Sequence, residues 1–224
     1  MSIRFPLAVG EWYHCYSRGV DKRKTFLSET DYKRFVQIMY LSNSSKKIQR
    51  SDLNSKTHVE ILQTPRGKKI VALGAYVLMP NHFHMLIGEI QDGGITQFMR
   101  KLGTSYAMYF NLKNKRIGNI FVKPFRSKHV GKDNYLKYVA QYIHLNPLEL
   151  FEPDWKNGII RNKNNLLEKL GEYTYSSFID YFGHDRVERG LLDKSIFDLL
   201  KNDMPTPKTI VSDATEYYKN NSEL

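Results

Sequence analysis

The sequence predicts an α+β fold: a ferredoxin-like antiparallel sheet with helices on one face, followed by a C-terminal helical extension. Three observations carry that expectation. Segments of strand and helix character follow one another in the order β-α-β-β-α-β, then a further helix. Two apolar strand-type runs meet across the turn dipeptide Pro80-Asn81 as a tight hairpin. The 224 residues show no internal repeat and suffice for one ordinary domain plus an appendage, or for two small domains.

The elements follow in order. Glu11 to Arg18 mixes aromatic and polar residues in a strand-like run closed by Gly19. Ser28 is an N-cap for a helix from about Glu29 to Leu41, where Tyr32, Phe35, Val36 and Met39 recur at helical spacing. Asn43 to Lys69 is polar and rich in Ser and Lys, and reads as a long loop or insertion with a short strand at Val59 to Leu62. Ile70 to Met79 and His82 to Gly88 are the hairpin strands. The next helix, about Ile95 to Leu112, buries a stripe through Phe98, Leu102, Tyr106, Tyr109 and Phe110 and turns Arg100 and Lys101 outward. Ile120 to Val130 is a further strand, with Pro124 marking an edge or bulge. A helix from Lys132 to about Leu145 stops before Pro147. These elements form an expected core domain over residues 1–150. Residues 151–224 form an extension packed on it, with small elements at Leu166 to Tyr181 and Ser195 to Leu200 and a tail from about Asp203.

Thirty-four Lys and Arg against 23 Asp and Glu give a formal charge of +11, a field that attracts phosphate polyanions. Solubility or an acidic membrane would also account for the charge. The many Tyr and Phe favour nucleic acid, because aromatic faces among cations suit unpaired bases. One cysteine, Cys15, excludes an internal disulfide and a Cys-rich zinc site. No apolar run approaches the ~20 residues of a membrane span, and the first ten residues lack secretory-signal character. A cytosolic protein with no membrane partner is the default expectation.

Two constellations carry chemistry. On a strand, residues i and i+2 share a face, so His82 and His84 are presented together while Phe83 turns to the core. Alone, such a pair is more often two hydrogen-bonded structural histidines than a metal site. Tyr142 and Asn146 lie four apart near the end of the last core helix and so share its face. Alone, they are a packing tyrosine and a C-cap. Together with a metal they would supply what phosphodiester cleavage needs, a Lewis acid and an in-line nucleophile. A phenol with a reference pKa of ~10 needs such a neighbouring cation. Tyr138, one turn earlier, is a rival nucleophile lacking Asn at +4. His144 is expected at the surface or on DNA. Arg18, Lys123, Arg126 and Lys128 are candidate phosphate contacts, since their strands would flank the histidines.

A longer text joins these pieces. It comprises Tyr16-Ser-Arg-Gly19, Met79-Pro-Asn-His-Phe-His-Met-Leu86, Tyr109-Phe-Asn111, Arg116-Ile-Gly-Asn-Ile-Phe121, Pro124-Phe-Arg-Ser127, Tyr142-Ile-His-Leu-Asn-Pro147 and Tyr173-Thr-Tyr-Ser-Ser177. In order and spacing it resembles the single-tyrosine HUH transposases, and among them the REP-associated tyrosine transposases, over most of residues 11–183. The resemblance implies an RRM-like catalytic fold, metal ligation by His82, His84 and Asn146, and Tyr142 as nucleophile. It further implies a Mg or Mn cofactor and hairpin-forming single-stranded DNA as partner. The tyrosine would take the 5′ phosphate covalently and free a 3′ hydroxyl. Relatives include dimers and monomers, and a homodimer is the slightly favoured expectation. Tyr175 replaces the Trp usual before the Ser pair, residues 43–69 are long for the family, and residues 185–224 match no motif. The rival readings are a non-catalytic RRM-like binder of single-stranded nucleic acid and a phosphoesterase in which water attacks.

Overall fold

A computed structural model describes residues 7–47, 56–131 and 133–221. The core runs β1 (Trp12–Arg18), α1 (Glu29–Ser42), α2 (His58–Gln63), β2 (Val71–Met79), β3 (His82–Glu89), α3 (Gly94–Lys113), β4 (Arg126–Val130) and α4 (Asp133–Leu145). The four strands form one antiparallel sheet in the order β2-β3-β1-β4. This is the α+β, ferredoxin-like arrangement expected.

Strand alternation builds the core. Tyr13, Cys15, Phe83, Met85 and Ile87 are buried and point to one face, where α1 and α3 cover them with Phe35, Phe98 and Tyr106. Asp31 anchors the start of α1. Its Oδ2 accepts from the Leu27 and Ser28 backbone N–H at 2.9 and 3.1 Å, and its Oδ1 accepts from Lys113 Nζ and Tyr109 Oη at 2.7 and 2.8 Å. The N-terminus of α1 is thereby tied to the C-terminal turn of α3. On the other face α4 lies across β2 and β3, burying Leu136, Val139, Ala140 and Ile143.

Several expectations are corrected. Val59 to Leu62 lies within helix α2, not a strand: Thr57 accepts from Glu60 N–H while the Glu60 carboxylate accepts from Thr57 N–H, a capping box that outweighs the short apolar run. The strand expected over Ile120 to Val130 is confined to β4. Gly19 bridges Phe121 alone, and the Lys123–Pro124 bond is cis. Lys101 does not point freely outward, because its Nζ donates to the carbonyls of Ser44 and Lys46. Within the expected 43–69 insertion, residues 48–55 lie outside the described residues. Its entry is firm: Asn43 Oδ1 accepts from Ile70 and Val71 N–H at 3.0 and 3.1 Å, and Nδ2 donates to Val71 O.

Beyond α4 follow α5 (Leu148–Phe151), α6 (Lys163–Glu172), α7 (Phe178–Phe182), α8 (Lys194–Asp203) and α9 (Pro207–Asn221). The expected tail is therefore helix over most of its length. Ile210, Val211, Ala214 and Tyr218 fall on one helical face, and this stripe packs into a second apolar cluster with Leu148, Trp155, Leu166 and Phe178. The segment at Tyr175–Ser177 hydrogen-bonds alongside β2, with Leu78 N–H donating to Tyr175 O and Ser177 N–H to Tyr76 O. It covers a sheet edge that would otherwise be open. No helix among the described residues is long and apolar enough to cross a membrane.

Candidate nucleic-acid and metal site

The sheet register sets the site. Tyr16 pairs with His84 and Arg18 with His82, so the even-numbered residues of β1 and β3 share the face that α4 partly covers. His82, His84, Tyr142 and Asn146 line a single hollow of about 580 Å³, with Arg18 and Arg126 in its wall. The His84 and Tyr142 rings meet edge-on with centroids 5.8 Å apart. Tyr142 is 36% exposed, so its ring is reachable from solvent. Tyr138 is not in this hollow. It lines an adjoining one with His14, Lys128 and Tyr135, where Tyr142 and His84 are shared walls.

Hydrogen bonds orient both imidazoles. His82 Nδ1 lies 2.7 Å from Asn81 Oδ1, and the Asn81 amide is turned that way because its Nδ2 donates to Lys22 O. An amide oxygen only accepts, so His82 carries its proton on Nδ1 and keeps the Nε2 lone pair. His84 Nδ1 lies 2.8 Å from His14 Nε2. Donation from His84 to His14 leaves its Nε2 lone pair free in the same way. Asn146 Nδ2 donates to Tyr142 O at 2.7 Å. Its amide nitrogen is thus spent on the end of α4, and its oxygen is the atom left for a cation.

Electrostatics keep these rings neutral. Burial, aided by Arg18, pushes the His82 pKa down to about 4. Burial and the neighbouring His14 and His82 push His84 down to about 2. Burial and Lys128 take His14 to about 4. Neutral imidazoles retain the lone pairs a divalent ion requires. Among the described residues no group of three or more His, Cys, Asp and Glu could hold a metal. Burial raises the Tyr142 pKa, and Lys156 opposes it.

Four contributors were not singled out from the sequence. His14 follows from strand alternation only once β1 is known to pair with β3. Asn81 was read as a turn residue alone. Glu149 and Lys156 form an ion pair in the wall of the hollow and belong to the region after Pro147, where no motif pointed to them. Conversely, His144 is fully buried, not at the surface. Its Nε2 hydrogen-bonds Ser177 Oγ at 2.9 Å, linking α4 to the segment along β2. Of the expected phosphate contacts, Arg18 and Arg126 flank the histidines, Lys123 lines a separate apolar hollow, and Lys128 lines the one beside Tyr138.

A structure of a REP-associated tyrosine transposase bound to a REP hairpin superposes with a TM-score of 0.50 at 14% identity, covering 86% of this chain and 88% of that chain. At that identity the likeness is one of fold. Comparison with curated proteins finds no match. The family model described as "Transposase IS200 like" matches residues 28–146, more than half of the chain, from the cap of α1 to Asn146 itself. The chain belongs to the IS200-like transposases.

Proposed function

We propose that this transposase-family protein is a divalent-metal-dependent endonuclease and strand transferase for hairpin-forming single-stranded DNA, with Tyr142 as nucleophile. The observation that supports this reading is the convergence of Tyr142, His82, His84 and Asn146 on one basic-walled hollow within a single chain. The solved structure that shares this fold is bound to a REP hairpin, which makes a hairpin the partner to try first. His82 Nε2, His84 Nε2 and the Asn146 amide oxygen would hold Mg or Mn, which supplies polarisation of the scissile phosphoryl oxygens.

The remaining chemistry belongs to the chain. Arg18 and Arg126 clamp neighbouring phosphates. Tyr142 Oη attacks phosphorus, forming a Tyr–O–P ester as the P–O3′ bond breaks. The phenol loses its proton to solvent and the departing O3′ gains one. Lys156 favours the phenolate. A later 3′ hydroxyl attacks the ester and restores the diester without ATP, because the phosphotyrosine conserves the bond. Both the nucleophile and the histidines come from one chain, so the reaction itself asks for no second copy. A homodimer is a separate proposal, read by light scattering.

Incubation with hairpin oligonucleotides and Mn should yield a covalent adduct on a denaturing gel, and Tyr142→Phe should abolish it while binding the hairpin as the wild type does. An adduct from the Tyr142→Phe protein removes Tyr142 from the mechanism. Hairpin binding with no adduct and no cleavage in any metal reduces the protein to a binder.

A further inference from the structure

Another hollow, on the side of α3, adjoins the candidate site, and no part of the chemistry above uses it. It measures about 340 Å³ and shares Ser17, Val122 and Pro124 with the hollow of the histidines. It lies on the opposite side of the sheet's end, against α3. Its floor is Phe83 and Phe121, edge-to-face at 5.1 Å, and Phe125 and Met99 complete the apolar wall. Ser17 Oγ, a polar atom of the lining, already donates to Val122 O. The exposed cations Arg100 and Lys123 stand at its margin. Arg100 and Thr104 lead on into a further hollow edged by Lys47 and Lys101.

Gly103 lines the slot from the middle of the 20-residue helix α3. Glycine costs stability in a helix interior and is usually kept there for close packing. Here a Cβ would meet nothing within 4 Å. Neither neighbouring atoms nor backbone geometry demand glycine at this position. A large side chain added here would project into the open space of the slot.

We propose that this slot receives one unpaired nucleobase of the DNA strand that crosses the candidate site. The inference rests on the single-strand reading above and adds a place on the protein for the strand. The wall is aromatic and apolar, suited to the face of a base, while Arg100 and Lys123 suit the phosphates on either side of it. The shared rim at Val122 and Pro124 makes the path from the scissile phosphate continuous. The buried wall of the slot is apolar and its polar groups besides Ser17, namely Thr96, Thr104, Arg100 and Lys123, are exposed, so the presence of a base is expected to matter more than its identity.

The test uses the Tyr142→Phe protein and binding alone, so that failure of cleavage and failure of the slot are read separately. Hairpin oligonucleotides carry one abasic site at each unpaired position in turn. One position should weaken binding about tenfold, in line with stacking of a single base. Adding Gly103→Phe should weaken binding of the intact strand by a similar factor, with no further loss at that abasic position, whereas Gly103→Ala should bind as the parent does. Phe125→Ala gives an independent reading through the wall: it should weaken the intact strand but not the strand abasic at that position. Equal binding by all variants, or losses that add at every position, would overturn the proposal.

Discussion

The two faces of the sheet are made from the same strands and do opposite things. On one face Tyr13, Cys15 and Met85 are sealed beneath α1 and α3, and Phe83 joins them at the margin where the slot opens. On the other, His14, Tyr16, His82 and His84 sit in partly open hollows beside α4. Successive residues of β3 alternate between these worlds, so one strand carries both the core and the site. The lesson is that the packed core and the candidate site are adjacent here: the imidazoles are held still by the packing of the residues between them.

The sharpest way to break this comparison is to mutate along β3. His82→Ala or His84→Ala should reduce adduct formation by on the order of a thousandfold or more while thermal unfolding stays near the wild type. Phe83→Ala, one residue away, should lower stability by about 3–5 kcal/mol in denaturant titration. If the histidine variants unfold as readily as the phenylalanine variant, the polar face is structural.

A second test concerns the partner of His84. His14→Phe removes the acceptor at Nδ1 and should weaken Mn binding about 10- to 100-fold by titration calorimetry, with His14→Gln recovering part of it. Unchanged affinity would show that the His14–His84 hydrogen bond is packing alone. A third test asks whether the region after Pro147 contributes to the reaction. Lys156 counters the upward push of burial on Tyr142, so Lys156→Met should move the rising limb of the pH–rate profile for adduct formation to higher pH. The rate near neutral pH should fall by about tenfold. A profile that does not move would separate Lys156 from any role at Tyr142.

A last effect, confined to stability, belongs to the side of the sheet that α1 and α3 cover. Burial opposes the charge of Asp31, yet Lys113 and the Leu27 N–H, with Tyr109, hold its carboxyl below the usual carboxylate range. A lowered folded pKa gives stability that is present above the unfolded value of ~3.9 and is lost as pH falls through the folded one. Asp31→Asn should cost about 2 kcal/mol at neutral pH and flatten the acid limb of the stability curve, without changing metal affinity.

Much of this was legible in the sequence because it is local. The two-residue period placed His82 and His84 together and sent Phe83 inward. The turn at Pro80-Asn81 joined the hairpin, and the four-residue helical spacing aligned Tyr142 with Asn146. Where local signals competed, the reading failed. A short apolar run at Val59 to Leu62 looked like a strand, but the Thr57–Glu60 capping box made it helical. The stripe of Ile210, Val211, Ala214 and Tyr218 was too short and too polar around to stand out as a helix.

Strand and helix periods, the basic charge and the pairing of chemical residue types at fixed spacings could be read along the chain, since these depend only on bond geometry and composition. Tertiary structure alone decided that β1 pairs with β3, which brings His14 from 70 residues away to the Nδ1 of His84. It also decided that His144 is buried against Ser177, and that Lys156 returns to the wall beside Tyr142. Such contacts depend on the register between strands and the docking of distant segments, where the gain from buried area offsets the entropy of closing long loops, and no short stretch of sequence records that balance.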